Sequence, residues 1–387
     1  MTQHKSYEEI NDKIKKGSAV ILAASEVSSL SKEMKPSEIA KKVDVITTGT
    51  FAPMCSSGAF LNFGHTEPAM RMEELTLNDV PAYGGIAAVD AYIGATAEKT
   101  GDAEYGGAHV IEDLINGKGV YLKTKGKGTD CYPGKRWEGY INKESINEMI
   151  MFNPRNAYQN YASAVNGSKR TIYTYMGVLL PGFTNCTYST SGELSPLIND
   201  PDCRTIGVGT AIFLGGTRGF ISSAGTQFNK GREKNSAGIS MGPAATIAVT
   251  GDMKKMSSEF IKAAVFERYG VTLFVGIGIP IPVLDEEIAR NVAVKNSEIE
   301  TYIYDYANSG EIIRKVNYEE LQSGTVEIHN KKVKTAPLSS ISKARKISEL
   351  LKKSVFDGSF RITRPAEMFD ISPSQLKKLG ANTGGIR

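Results

Sequence analysis

The sequence predicts an α/β protein: a mixed multi-layer fold with a largely parallel sheet and glycine-rich ligand loops. Three observations carry this expectation. Near the N-terminus, apolar runs of strand length alternate with stretches of helical period, the order that βαβ units produce. Glycine is abundant, 39 of 387 residues, and clusters where apolar runs end. Hydrophobic residues make up 41% of the chain and charged residues 23%, the balance of a globular protein able to bury large cores.

Taken in order, Ser6 and Glu9 have capping-box spacing, Ile10 and Ile14 share a face and Gly17 stands at the end, so a first helix is expected over residues 7–16. Ala19 to Ala23 reads as a buried strand, Pro36 to Lys42 as a helix and Val43 to Thr48 as a second strand. Cys55 follows in a loop, and the carboxyl ends of strands are where open α/β sheets bind ligands. Ala108 to Asn116 reads as a helix stopped by Gly117, and Val120 to Thr124 as the strand that delivers Cys131. Arg170 to Leu180 is β-branched and aromatic. From Gly207 to Gly219, glycines that include Gly215 and Gly216 punctuate an apolar strand, where bare N–H groups suit a small anion. Ser257 to Tyr269 reads as a helix, Val271 to Pro282 as a core strand with a tight turn, and Asp285 to Asn296 as a helix. Ile299 to Tyr304, Ile312 to Val316 and Thr325 to Ile328 alternate like strands of a small sheet. Ile341, Ala344, Ile347, Leu351 and Val355 mark the last helix. The expected organisation is a catalytic region over residues 1–330, divisible into two subdomains, with a basic helical segment, 331–387, packed on it.

Composition excludes several classes. Four cysteines, Cys55, Cys131, Cys186 and Cys203, are too few for a disulfide scaffold, and none are spaced as Cys-x-x-Cys. Reduced thiols in a cytoplasmic protein are expected, with no metal or cofactor bound by this chain. No apolar stretch reaches the roughly 20 residues of a membrane span, and the N-terminus lacks a signal-peptide core. Gly207-x-Gly209 lacks the third glycine of a dinucleotide fingerprint. The net charge is +4, but the segment from Lys331 onward holds thirteen basic residues against four acidic ones. That asymmetry suits an acidic partner, or only a solvated helix face; nucleic acid and membrane partners are not expected.

The residues with the strongest chemical signal are Cys131 and Cys55. Cys131 lies in Gly128-Thr129-Asp130-Cys131-Tyr132-Pro133-Gly134-Lys135-Arg136, with Lys123, Lys125 and Lys127 close by in sequence. Cations stabilise a thiolate, the nucleophilic form of cysteine. Cys55, in Pro53-Met54-Cys55-Ser56-Ser57-Gly58, has a small-residue setting, and the two thiols suggest a redox or sulfur-transfer pair. His65, ten positions on, is a candidate acid or base for the Cys55 sulfur. His109 reads as a polar residue at a helix N-terminus, and Cys186 and Cys203 as structural.

Asn62-Phe63-Gly64-His65-Thr66-Glu67-Pro68, Gly107-Ala108-His109-Val110-Ile111-Glu112-Asp113-Leu114, the segment around Cys131, and Thr205-Ile206-Gly207-Val208-Gly209-Thr210-Ala211-Ile212-Phe213-Leu214-Gly215-Gly216 together resemble the homocysteine biosynthesis proteins, or L-aspartate semialdehyde sulfurtransferases. Many members continue into cystathionine-β-synthase-type domains, before which this chain is expected to stop. The resemblance implies incorporation of sulfide into aspartate semialdehyde, with electrons from an iron–sulfur, ferredoxin-like partner. It puts the family's reactive cysteines on Cys55 and Cys131; the expected mechanism has sulfide open a disulfide between them to a persulfide, and either cysteine could carry it, Cys131 having the more cationic setting. For the amino-acid end of the substrate, Arg155 is the expected carboxylate ligand and Asp130 the ammonium ligand. A homo-oligomer is left open. The alternative is a thiol–disulfide or electron-transfer protein using the same cysteines without an organic substrate; a third reading is an anion-binding module on the glycine loops.

Overall fold

The computed structural model describes residues 4–308, 310–370, 372, 376 and 377. The architecture is mixed α/β with large sheets, as expected, but the principal sheet is antiparallel. It has thirteen strands. From the edge strand Arg136–Ile141 the path runs through Val120–Lys125, Glu74–Leu77, Val80–Tyr83 and Asp90–Gly94 to Gly58–Asn62 and Glu148–Asn156. It continues through Ile247–Asp252, Thr217–Ala224 and Ala211–Leu214 to Gly270–Gly278 and Ile261–Phe266, and Thr50–Pro53 pairs with the other side of Gly270–Gly278. All its pairings are antiparallel.

The turns explain the difference. Asn78-Asp79, with φ of 50° and 64°, joins Glu74–Leu77 to Val80–Tyr83, and Gly215-Gly216, with φ of 61° and 98°, joins Ala211–Leu214 to Thr217–Ala224. Two left-handed residues in succession match the twist of a hairpin, and so short a link reaches only an antiparallel neighbour. Among the described strands, parallel pairing is confined to Ile21–Ala23 with Val45–Thr47, Ser163–Val165 with Glu300–Asp305, and Asn185–Tyr188 with Lys331–Pro337. The first of these is the N-terminal βαβ unit read from the sequence.

Thr50–Pro53 and Gly58–Asn62 lie at opposite ends of a seven-strand path, yet only Met54–Ser57 separates them in the chain. The sheet therefore rolls back on itself, and Cys55 sits at the seam. The helix Gly107–Ile115 packs inside the roll, with Ala108, Val110, Ile111 and Leu114 buried. Its first residue approaches the sheet so closely that a Cβ on Gly107 would lie 1.9 Å from the Gly94 carbonyl oxygen. Gly107→Ala is expected to destabilise the protein by about 1–3 kcal/mol, the usual range for overpacking. A melting temperature equal to the parent's would show that the backbone yields instead.

Ser257–Tyr269, read as a helix, contains the strand Ile261–Phe266. Pairing with Gly270–Gly278, through a tight turn that places Arg268 at φ 54°, overrides the local helical pattern. The basic C-terminal segment is also not helical throughout. Lys331–Pro337 is a strand of a six-stranded sheet that includes the expected strands at Glu300–Asp305, Glu311–Asn317 and Thr325–Ile328. The helix Ile341–Phe356 follows, and its Ala344, Ile347, Leu351 and Val355 join the same core as Ile10 and Ile14 of the first helix. Parts of the 331–387 segment, residues 378–387 among them, lie outside the described residues. No described helix is long and apolar enough to cross a membrane.

Candidate active site

Cys55 opens onto a cavity of about 380 Å³, lined also by Ser56, Arg155, Tyr158, Tyr161, Tyr175, Ser189 and Tyr269. The turn that carries it is held from several sides. Ser57 N donates to Met54 O at 3.0 Å, Ser56 Oγ donates to Asn153 Oδ1 at 3.0 Å, and buried Asn153 Nδ2 donates to Ser57 Oγ at 2.8 Å. The Thr272 hydroxyl donates to Cys55 Sγ at 3.4 Å. A second pocket meets the first at Cys55, Ser56 and Tyr269 and adds Thr96 and Glu98, so the sulfur is reached from two sides.

Arg155, from the end of the strand Glu148–Asn156, is the one cation among the described residues that line the cavity. Its Nε donates to Thr226 Oγ1 at 3.1 Å and its Nη1 to Gln227 Oε1 at 2.9 Å. Both partners are neutral, and among the described residues no carboxylate pairs with it, which leaves a guanidinium suited to an anionic ligand. Burial raises the phenols of Tyr158 and Tyr269 above the usual tyrosine value, Arg155 opposing the shift at Tyr158 and Cys55 adding to it at Tyr269. Tyr161 is raised further by burial. These phenols remain neutral hydrogen-bond donors at physiological pH.

The structure does not bring Cys131 to this cavity. Cys131 is exposed at the tip of the hairpin between Val120–Lys125 and Arg136–Ile141, where Thr129 and Tyr132 exchange backbone hydrogen bonds of 2.8 and 3.1 Å. The loop is fastened at Gly134, whose N–H donates to Ala69 O at 2.9 Å. Following the register from Lys125 through Glu74, Tyr83 and Tyr92 to Phe60, the Cys131 loop leaves the sheet at the end where Asn62 lies, whereas Cys55 enters at the Gly58 end. The strand between these ends is about 15 Å long, and the four strand steps across the sheet add about 19 Å sideways. A disulfide needs Cα atoms about 4.4–6.8 Å apart. Both cysteines are free.

The other expected site residues divide accordingly. His65 stacks on Tyr132, centroids 6.3 Å apart and planes 9° apart, so it accompanies Cys131 and is not placed to act on Cys55. Asp130 is exposed in the same hairpin tip, remote from Arg155. The cationic setting expected for Cys131 is partly neutralised, because Lys123 lies 2.8 Å from Asp79, Lys125 3.9 Å from Glu74 and Lys127 3.7 Å from Glu73. Gly215 and Gly216 form a hairpin turn packed on Met256, Ile261 and Phe260, and the Gly215 N–H is spent on Gly276 O at 2.8 Å. Neither lines the Cys55 cavity, and the hairpin turn accounts for both glycines.

The remaining cysteines and His109 are built into the fold. Burial pushes the Cys186 thiol up to about 12 and raises that of Cys203 as well, so neither is a ready nucleophile. His109 Nδ1 accepts from Gly106 N at 3.2 Å, and burial holds the imidazole below its ordinary value, in its neutral form. The tyrosines were the residues that sequence reasoning missed. Tyr158 and Tyr161 stand around two non-glycine residues with positive φ, Ala157 at 49° and Asn160 at 84°, which no linear motif announces. Among the described residues, no group of three or more His, Cys, Asp or Glu could hold a metal ion.

Comparison with known proteins places the chain in a family. The chain is 48% identical over 367 residues to an L-aspartate semialdehyde sulfurtransferase of Methanosarcina acetivorans, covering 94% of this chain and 71% of that one. It is 47% identical over 378 residues to a protein of the same name from Methanocaldococcus jannaschii, covering 93% and 72%. An uncharacterized protein of Methanothermobacter thermautotrophicus is 27% identical over 331 residues, covering 82% and 72%. No solved structure matches. Residues 19–362 match the family described as "Homocysteine biosynthesis enzyme, sulfur-incorporation". A match across that span makes this chain a member of the homocysteine biosynthesis enzyme family.

Proposed function

We propose that the protein is an L-aspartate semialdehyde sulfurtransferase and that Cys55 is the sulfur at which homocysteine is made. The observation that carries this reading is the pairing, in one cavity, of a hydroxyl-supported thiol with an arginine that has no carboxylate partner among the described residues. An amino-acid aldehyde has complementary ends: a carboxylate for Arg155 and an electrophilic carbon for sulfur. The names of the relatives support the same substrate.

The net reaction is aldehyde plus hydrogen sulfide plus two electrons and two protons, giving thiol plus water. Sulfide displaces a thiolate from a disulfide of Cys55 and leaves a persulfide on it, an exchange with no net oxidation. The terminal sulfur adds to the aldehyde carbon, whose oxygen takes a proton. A thiolate then attacks the Cys55 sulfur, restoring the disulfide and releasing the sulfur now bound to the substrate. Water leaves to form a thioaldehyde, and two electrons from a ferredoxin-like protein reduce it. The neutral phenol of Tyr269 beside Cys55 suits the proton transfers. Cys131, as the exposed thiol, is the exchange partner; meeting Cys55 requires its hairpin, or that of a second copy, to reach the cavity.

The test is homocysteine formation from aspartate semialdehyde, sulfide and a reduced acidic ferredoxin across a salt series. The ferredoxin is proposed to dock on the basic face of the last helix, where Lys346 already pairs with Glu259 and Lys352 lies 2.6 Å from Glu26. Arg345 and Lys353 are exposed and have no carboxylate partner among the described residues. Replacing both with glutamine should slow ferredoxin-driven turnover a few-fold at low salt, and the effect should fade as ionic strength rises. Absence of homocysteine under every condition would refute the reaction. A variant that matches its parent at all salt concentrations would refute the docking face alone.

A further inference from the structure

If the carboxylate of the substrate meets Arg155 and its aldehyde meets Cys55, the α-ammonium lies beside Arg155 within the same cavity. Among the described residues no carboxylate lines the cavity to receive it, and Asp130, the residue expected for that task, is in the Cys131 hairpin. What surrounds the position is aromatic. Tyr158 and Tyr161 have centroids 5.0 Å apart and planes crossed at 78°; Tyr161 and Tyr175 are 6.4 Å apart at 84°. Rings crossed in this way direct π-faces at more than one side of the space they enclose. Tyr175 is fixed from behind by Tyr306, hydroxyl to hydroxyl at 3.0 Å.

The backbone that presents two of these rings is strained. Ala157 and Asn160 both have positive φ, a conformation unfavourable for an alanine. Buried polar contacts hold it: Ala157 N donates to Asn156 Oδ1 at 2.7 Å, and Asn160 Nδ2 donates to Ser240 O at 2.6 Å and Glu300 O at 2.8 Å. Strain maintained by so many contacts marks a segment whose side-chain placement matters.

We propose that Tyr158, Tyr161 and Tyr175 form an aromatic subsite for the α-ammonium group, so that this site selects amino-acid aldehydes over aldehydes lacking the amino group. The proposal rests on the functional reading above. Cations are attracted to the faces of aromatic rings within about 6 Å of the centroid, most strongly where water is excluded. Glu98, a competing anion, lines the second pocket, on the side of Cys55 that Arg155 does not line. An ammonium bound there would be drawn away from the carboxylate on its own carbon.

Calorimetric titration with two unreactive probes tests this independently of turnover. L-Homoserine is the alcohol counterpart of the proposed substrate, and 4-hydroxybutanoate is the same molecule without the amino group. The parent protein should bind L-homoserine at least about tenfold more tightly, the scale of a desolvated cation–π contact. Tyr161→Phe, which keeps the ring, should retain the preference. Tyr161→Leu should lose most of it, as should Tyr175→Leu, whose position is 39% exposed and tolerates truncation. Glu98→Gln should leave the preference intact. Equal binding of the two probes, binding of neither, a preference that survives both leucine variants, or one lost in Tyr161→Phe or Glu98→Gln would each overturn the proposal. A protein that prefers L-homoserine but forms no homocysteine would keep this subsite and refute the reaction instead.

Discussion

Replacing Cys55 by serine is expected to lower homocysteine formation by at least about a thousandfold, the scale at which a covalent nucleophile is lost. A hydroxyl fits the space, so the melting temperature and L-homoserine binding should stay near those of the parent. It forms neither a persulfide nor a disulfide. Cys131→Ser should leave the cavity unchanged and impair only the exchange that restores Cys55, so a small thiol supplied in solution should recover part of its turnover. The carrier is identified by treating the oxidised protein with sulfide and weighing the cysteine peptides. One added sulfur atom on the Cys55 peptide, lost on reduction, is the expected result. An added sulfur on Cys131 alone, with turnover surviving in Cys55→Ser, would return the chemistry to the exposed hairpin.

The contrast between these two thiols shows where sequence reading reached its limit. Cys131 stood out because five cations lie near it in the chain, but linear proximity does not report pairing: Asp79, Glu74 and Glu73, from a neighbouring part of the chain, face three of the lysines. Cys55 had no such marker. Its setting is assembled from Arg155, Tyr175, Thr272 and Tyr269, which the rolled sheet gathers from distant segments. Elements governed by local rules were legible. The capping box at Ser6 and Glu9, the helix Pro36–Lys42 and the apolar stripe of Ile341–Phe356 all lie where their patterns put them. The sense of strand pairing has a local signal too, because Asn78-Asp79 is a two-residue turn that can join only antiparallel strands, whereas the N-terminal βαβ unit speaks for its own small sheet alone. The helix expected over 257–269 failed for the opposite reason, since only its neighbour across the turn makes Ile261–Phe266 a strand.

Arg155 gives the second large effect. Its guanidinium is oriented by Thr226 and Gln227 rather than neutralised by an acid, so it holds its position while keeping two or more donors for a ligand carboxylate. Hydrogen bonds to a charged group are worth about 1.5–3 kcal/mol, and each 1.4 kcal/mol is a factor of ten in binding. Arg155→Met is therefore expected to raise KM for aspartate semialdehyde by roughly 10–100-fold with a smaller change in kcat, because the carboxylate is bound alike in the ground state and the transition state. Arg155→Lys should recover part of the loss, since an ammonium supplies the charge without the planar fork. Loss of binding energy at the carboxylate should also fall equally on L-homoserine and 4-hydroxybutanoate, whereas loss of the aromatic subsite falls on the first alone. If kcat collapsed in Arg155→Met while KM and the affinity for both probes held, the arginine would be acting on the sulfur of Cys55, and the amino-acid end of the substrate would need another anchor.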